Sequence, residues 1–268
     1  MQYVLVTGAS GGMGRAVARR MAEAGFGVFA LDRVPGEADE RIIPLTVDLT
    51  CEQAVQQAAE TVRQTTDSLY AILHFAGMYQ LDSLVEMTAE RFEQIFQVNL
   101  LAAFLVNRTF FPFLRKGSRI LMTTSELAPL DPLPFTGIYA VSKAALDRYA
   151  YALRMELQLR DIAVSVLRAG AVQTHMLGAS TDALTRFCNT TALYSCNAER
   201  FRRIVDRVEA KCIPPEAIAE RVQRILQTRH PAFAYAINRN PLLRLLNALP
   251  QRTQMWIIRR LLREPAKK

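Results

Sequence analysis

The sequence predicts an α/β protein built on a doubly wound parallel sheet, and three observations carry that expectation. Seven short, continuously apolar runs recur along the first 238 residues, as strands do when a parallel sheet is covered on both faces. Stretches that look helical separate them, and strand–helix alternation builds right-handed βαβ crossovers. The first strand runs into Thr7-Gly8-Ala9-Ser10-Gly11-Gly12-Met13-Gly14, a glycine loop at a strand–helix junction.

Taken in order, Val4-Leu5-Val6 opens the sheet and the glycine loop leads into a helix over 14–24. Strands at 28–31 and 42–47 follow, then a helix at 51–64 and a strand at 69–73. A long helix at 91–114 precedes a strand at 120–122, and a second long helix at 139–160 precedes a strand at 164–167. A helix at 215–228 and a strand at 233–236 close the alternation. Two parts depart from it: an insertion over 173–213 and a tail after Arg239. With no repeat and no Gly/Ser-rich linker, residues 1–238 read as one domain with a lid insertion, and 239–268 as a helical C-terminal extension.

Composition sets the outer limits. The chain has 268 residues, 50% hydrophobic and 22% charged, with only 4 cysteines, which excludes disorder and a disulfide scaffold. Cys51, Cys188, Cys196 and Cys212 lie at no metal-ligand spacing, so no metal is expected, and four free thiols suit a reducing cytosol. No apolar run reaches the ~20 residues of a membrane span, and no signal peptide is read at the N-terminus. A soluble cytoplasmic protein is expected. The net charge is +8, but residues 239–268 carry eight Lys/Arg against one acid, leaving the body nearly neutral. A nucleic-acid groove would spread its basic residues, so no nucleic-acid partner is expected.

Glycines after the first strand let the backbone approach a phosphate, and the following helix N-terminus supplies free N–H donors. Gly8, Ser10, Gly11, Gly12, Met13 and Gly14 are therefore candidate dinucleotide contacts. Asp32, 18 residues beyond Gly14 at the end of the second strand, can accept hydrogen bonds from adenosine ribose hydroxyls and repels a 2′-phosphate. That favours NAD; Arg33 beside it could pair with the phosphate of NADP. Asp48, followed by Leu49, either reaches the adenine or caps the helix that starts near Cys51.

Tyr139-Ala140-Val141-Ser142-Lys143 opens a helix, placing Tyr139 and Lys143 one turn apart on one face. Ser125 follows the 120–122 strand, and Asn99 lies in the earlier long helix. With the glycine loop, these residues in this order resemble the short-chain dehydrogenase/reductase family, over nearly the whole chain to about residue 238. The basic, apolar tail resembles the retinol and hydroxysteroid dehydrogenase branch.

The resemblance implies that Tyr139 is the general acid/base, Lys143 lowers its pKa and holds the nicotinamide ribose, Ser125 binds the substrate oxygen, and Asn99 positions a relay water. It implies hydride transfer between the cofactor and a hydroxyl or carbonyl, in a homodimer or homotetramer. Ala76 and Gly77, in His74-Phe75-Ala76-Gly77 where the family has Asn-Asn-Ala-Gly, keep the close approach to the cofactor, and His74 is read as a packed strand-end residue. Val172 and Thr174, after Ala169-Gly170 where Pro-Gly is usual, could still meet the carboxamide. Ser125 and Tyr139 are one residue further apart than the family pattern, implying an insertion around 129–134.

Substrate groups in this fold sit beyond the carboxyl ends of the strands: Tyr79, Glu126, Phe135, and His175 and Met176 in the insertion. The apolar lid suggests a hydrophobic partner such as a steroid, retinoid or long-chain alcohol; the alternatives are a 3-oxoacyl-thioester or NAD bound without turnover. The tail mixes Leu, Ile and Trp256 with Arg at helical spacing, so it could lie on an anionic membrane, cover the substrate mouth, or pack on another subunit.

Overall fold

Each apolar run forms a strand, and all seven strands pair in parallel in one sheet. They are β1 (Tyr3–Thr7), β2 (Gly27–Asp32), β3 (Ile42–Thr46), β4 (Leu69–His74), β5 (Leu114–Ser125), β6 (Ala163–Ala169) and β7 (Ala234–Ile237), in the order β3-β2-β1-β4-β5-β6-β7. The computed structural model describes residues 1–36, 38–208 and 212–263; the side chains of 175–180 and 206–208 lie outside that description. Only β5 runs well beyond its expected bounds. Leu114 pairs with Leu69, the register then shifts, and Gly117 at φ +88° absorbs the extra length before Arg119 pairs with Ala71.

Successive strand residues alternate between two cores. On one face, Leu5, Phe29 and Ile72 pack against α2 (Glu52–Arg63), α4 (Ala102–Phe110) and α5 (Gly137–Leu157) through Val55, Val106, Phe110 and Leu146. On the other, Val4, Val6 and Val28 meet α1 (Gly12–Glu23) and α8 (Pro215–Gln227) through Val17, Met21, Val222 and Leu226. Each such buried aliphatic or aromatic side chain contributes about 1.5–3 kcal/mol.

The expected 91–114 helix is α3 (Ala89–Phe96), one π-helical turn (Gln97–Leu101), α4 and a final 3₁₀ turn. Ala89–Phe113 is long and apolar enough to cross a bilayer by length and composition. Ile95, Ala102, Ala103, Val106 and Phe110 are nevertheless buried in the protein's own cores.

The 173–213 insertion forms two helices, α6 (His175–Thr190) and α7 (Ser195–Val208). Its two ends meet: Gln173 N donates to the Ile213 carbonyl at 2.9 Å, and Ile213 N donates to the Ala171 carbonyl at 3.2 Å. A third apolar cluster of Leu81, Leu184, Phe187, Ala198 and Phe201 closes this lid. The tail forms α9 (Pro241–Asn247) and α10 (Gln251–Leu262), and Leu262 joins the lid cluster.

Candidate active site

Strand β1 pairs with β2 on one side and β4 on the other, so the connections leave it in opposite directions. A crevice opens there at the carboxyl ends of the strands. Gly8 has φ +66°, and a Cβ on it would stand 2.5 Å from Ala76 N; a Cβ on Gly14 would collide with the Gly8 carbonyl oxygen, and one on Gly12 would stand 2.7 Å from Thr174 Cγ2. Loop, β4 exit and Thr174 therefore close on one another with backbone where side chains would intrude. Helix α1 starts after Gly11 with no side-chain cap and no acid in its first turn, leaving its first N–H groups for an anion.

Asp32 Oδ2 accepts from Ser10 N at 2.9 Å and Oδ1 from Val34 N at 3.2 Å, while Ser10 Oγ donates to the Val34 carbonyl. Each carboxylate oxygen keeps a lone pair for a ribose hydroxyl. Arg33 is exposed beside it. The cradle, the uncapped helix and Asp32 fit a nicotinamide dinucleotide.

Four residues assemble beside this cradle. Ser125 ends β5; Tyr139 and Lys143 stand one turn apart on α5, and Asp147 continues their stripe. The Asp147 carboxylate takes both arms of Arg168, at 3.0 and 2.7 Å, and accepts from Thr124 Oγ1 at 3.2 Å, fixing α5 to the strand end that carries Ser125. Lys143 Nζ donates to the Thr123 carbonyl at 3.2 Å, and the buried Thr123 hydroxyl has no partner among the described residues. Gly77 lies against this group: a Cβ there would stand 3.2 Å from Lys143 Nζ and 3.3 Å from Asn99 Oδ1.

Burial dominates the electrostatics. The Tyr139 hydroxyl is pushed up to about 12 by desolvation, partly offset by its hydrogen bond with Ser125. Desolvation also pulls the Lys143 ammonium down to about 8. Both shifts favour the neutral forms. His74 is buried too and is pulled down to about 4, with Nε2 2.9 Å from Asn107 Oδ1; it is a packed, neutral strand-end residue.

Asn99 is tied to two other parts of the site. It sits in the π-helical turn, where Ala102 N bonds the Gln97 carbonyl five residues back. Its Oδ1 accepts from Met78 N at 2.8 Å, and its Nδ2 donates to the Met78 carbonyl at 3.0 Å and to Ser142 Oγ at 2.9 Å. These bonds fasten the β4 exit to α5 through the Asn99 amide. Ser142, whose Oγ also donates to the Tyr139 carbonyl, escaped the sequence reading, although its place directly before Lys143 was a signal.

Other residues expected at the site have protein partners of their own. Glu126 Oε2 accepts from Asn240 N at 2.6 Å, with Arg239 nearby, so it anchors the start of the tail. Phe135 is held at φ +67° with its ring among Phe187, Tyr194 and Phe201 in the lid cluster. Asp48 Oδ1 takes Thr50 N and Thr50 Oγ1 at 2.9 and 2.6 Å, closing a turn before α2. Leu49 and Val172 bury their side chains in the two cores and Met13 packs on the second, leaving their backbones to the crevice. Tyr79 remains beside the chemistry, its ring 4.7 Å from that of Tyr139. The side chains of His175 and Met176 lie outside the described residues. Tyr79 and Met78 also line a cavity of 350 Å³ with Gln80, Arg91, Gln94, Asp182, Ala183 and Arg186.

A family model described as short chain dehydrogenase matches residues 2–185. The chain belongs to the short-chain dehydrogenase family. This dehydrogenase-family chain is 24% identical to a 3-ketodihydrosphingosine reductase of Bacteroides thetaiotaomicron over 257 residues, 96% of this chain and 93% of that one. It is 31% identical to mouse estradiol 17-beta-dehydrogenase 2 over 189 residues, 65% of this chain and 49% of that longer protein. Its fold matches the crystal structure of a 3-ketoacyl-(acyl-carrier-protein) reductase from Brucella melitensis complexed with NADH, with TM-score 0.71, 21% identity and coverage of 88% and 96%.

Proposed function

We propose that this short-chain dehydrogenase interconverts a hydroxyl and a carbonyl on a hydrophobic substrate, using NAD in preference to NADP. One observation carries the reading: Ser125, Tyr139 and Lys143 stand together beside a glycine cradle that fits the dinucleotide. A bound nicotinamide would supply or accept the hydride. Ser125 Oγ donates to the substrate oxygen, where negative charge develops during reduction. The Tyr139 hydroxyl gives that oxygen its proton, and takes it back in oxidation. Lys143, held one turn away, stabilises the tyrosinate by its charge. Asn99 and Ser142 keep the β4 exit and α5 at the spacing this exchange needs.

The substrate class rests on the apolar lid and on Tyr79 beside Tyr139, with Gln94 and Arg186 offering polar partners to a head group at the cavity wall. An apolar body with one polar end fits that lining, whether long-chain, steroid or retinoid. The nearly neutral body and the low cysteine content support a cytoplasmic location. Exposed apolar residues Leu101 and Phe104 on the long helix, and Val141, Tyr151 and Met155 on α5, support a homodimer or homotetramer.

The test is formation or loss of reduced nicotinamide across a panel of steroid, retinoid and long-chain alcohols and ketones. Turnover on one class is expected, falling by about 10²–10⁴ in Tyr139→Phe with cofactor binding retained. Cofactor binding without turnover on any class, with NAD or NADP, would replace this reading with a non-catalytic dinucleotide binder.

A further inference from the structure

Helix α10 has two faces in different surroundings. Gln254, Ile258 and Leu262, four residues apart, face the protein. Gln254 Nε2 donates to Asp131 Oδ2 at 3.0 Å and to the Leu249 carbonyl at 2.9 Å. Leu262 is buried in the lid cluster, and Asn197 of α7 donates to its carbonyl at 2.7 Å. Opposite them, Arg252, Trp256, Arg259 and Arg263 form an exposed stripe at i, i+4, i+7 and i+11. Trp256 is 62% exposed, and the Arg260 guanidinium stands 6.0 Å from its ring centre. Met255, and Leu242 and Leu245 on α9, are exposed as well. Residues 239–263 hold six arginines and no acid.

Charge narrows the choice of occupant. A second copy of this chain would present the same positive stripe and be repelled. An acidic protein would satisfy the arginines, but the apolar side chains are spread singly among them rather than gathered into one anchor. An anionic lipid surface takes both without a matching shape: arginines pair with headgroups, and indole and aliphatic side chains enter the boundary with the acyl chains.

We propose that α10, with the exposed leucines of α9, docks this protein on an anionic bilayer. The helix that meets the lipid is, on its other face, part of the lid, so docking sets the substrate cleft beside the membrane. The proposal is independent of the reaction assigned above.

Trp256 is the chain's single tryptophan, which makes it the reporter. The full chain is mixed with vesicles of phosphatidylcholine alone, or of phosphatidylcholine with phosphatidylglycerol, at low salt. Emission should shift to the blue, and the chain should cosediment, with the anionic vesicles alone. Raising salt to about 1 M, where the Debye length is about 3 Å, should release it. Arg252→Gln/Arg259→Gln should weaken partitioning roughly 30-fold, at about 1 kcal/mol for each basic residue, with the melting temperature unchanged. No shift and no cosedimentation with anionic vesicles overturns the proposal, as does equal binding to neutral vesicles or undiminished binding by the double variant. A response to polyglutamate or an oligonucleotide but not to vesicles would assign the stripe to that partner instead.

Discussion

Lys143 is where burial and chemistry oppose each other most directly. Its folded pKa of about 8 lies below its ordinary 10.5, so between those values the unfolded chain binds more protons than the folded one. The destabilisation from this residue is full below pH 8 and fades as pH rises to 10.5. Lys143→Met should therefore unfold at higher denaturant than the parent at pH 7, by on the order of 3 kcal/mol at 1.36 kcal/mol per pH unit. The gap should close near pH 10.5, and turnover should be lost at both; chemical unfolding at the two pH values decides it. A cation kept at a folding cost is what the proposed site would show. Tyr139, Lys143 and Ser125 were legible in the sequence because the chemistry needs those residue types in that order. Asn99 was legible as a member of the set, but its bonds to Met78 and Ser142 were not, since a side-chain amide does not show its partners in the sequence.

Helix α5 is positioned by a feature no local pattern announces. Asp147 and Arg168, with side chains 10% and 18% exposed, are separate residues in sequence and one bidentate pair in space. Arg168→Met strands a buried carboxylate and should cost about 3 kcal/mol or more, lowering kcat as the Thr124–Ser125 strand end loosens. Asp147→Leu/Arg168→Met should recover most of the stability without recovering kcat, which a double-mutant cycle with turnover measured in parallel would show. The strands were easy to place because the middle of a doubly covered strand is mostly apolar. The π-helical turn was invisible, because a single turn shifts the phase of the apolar pattern at one point only, within a stretch that is apolar on more than one face. The lid's apolar character was readable, yet its helices were not delimited: they bury a narrow stripe of Leu184, Phe187, Ala198 and Phe201. Glu86 adds a tie that pattern reading misses, accepting from Thr191 Oγ1, Ala192 N and Leu193 N at 2.7, 2.8 and 3.1 Å at the turn between α6 and α7.

The whole molecule leaves apolar surface on its two long helices, at Leu101 and Phe104 and at Val141, Tyr151 and Met155. Phe104, 40% exposed, stands edge-on to Tyr149, 6.5 Å between ring centres, so the long helix and α5 share a flank. Sedimentation should give a dimer or tetramer, and Phe104→Glu should shift it to monomer by desolvating a charge in the contact, with far-UV circular dichroism unchanged. The doubly wound order was legible from alternation and the glycine loop; the path of the tail was not, because Glu126, Asn197 and Asp131, which hold it, lie 65 to 123 residues away along the chain. The meeting of Val172 with Ile213 has a different reach. The lid leaves and re-enters the sheet at neighbouring points, so its length and composition can drift without displacing β6, α8 or the residues that do chemistry. The sheet and the lid are thereby separately heritable, and a lineage with this architecture can rewrite the one as a cassette while inheriting the other.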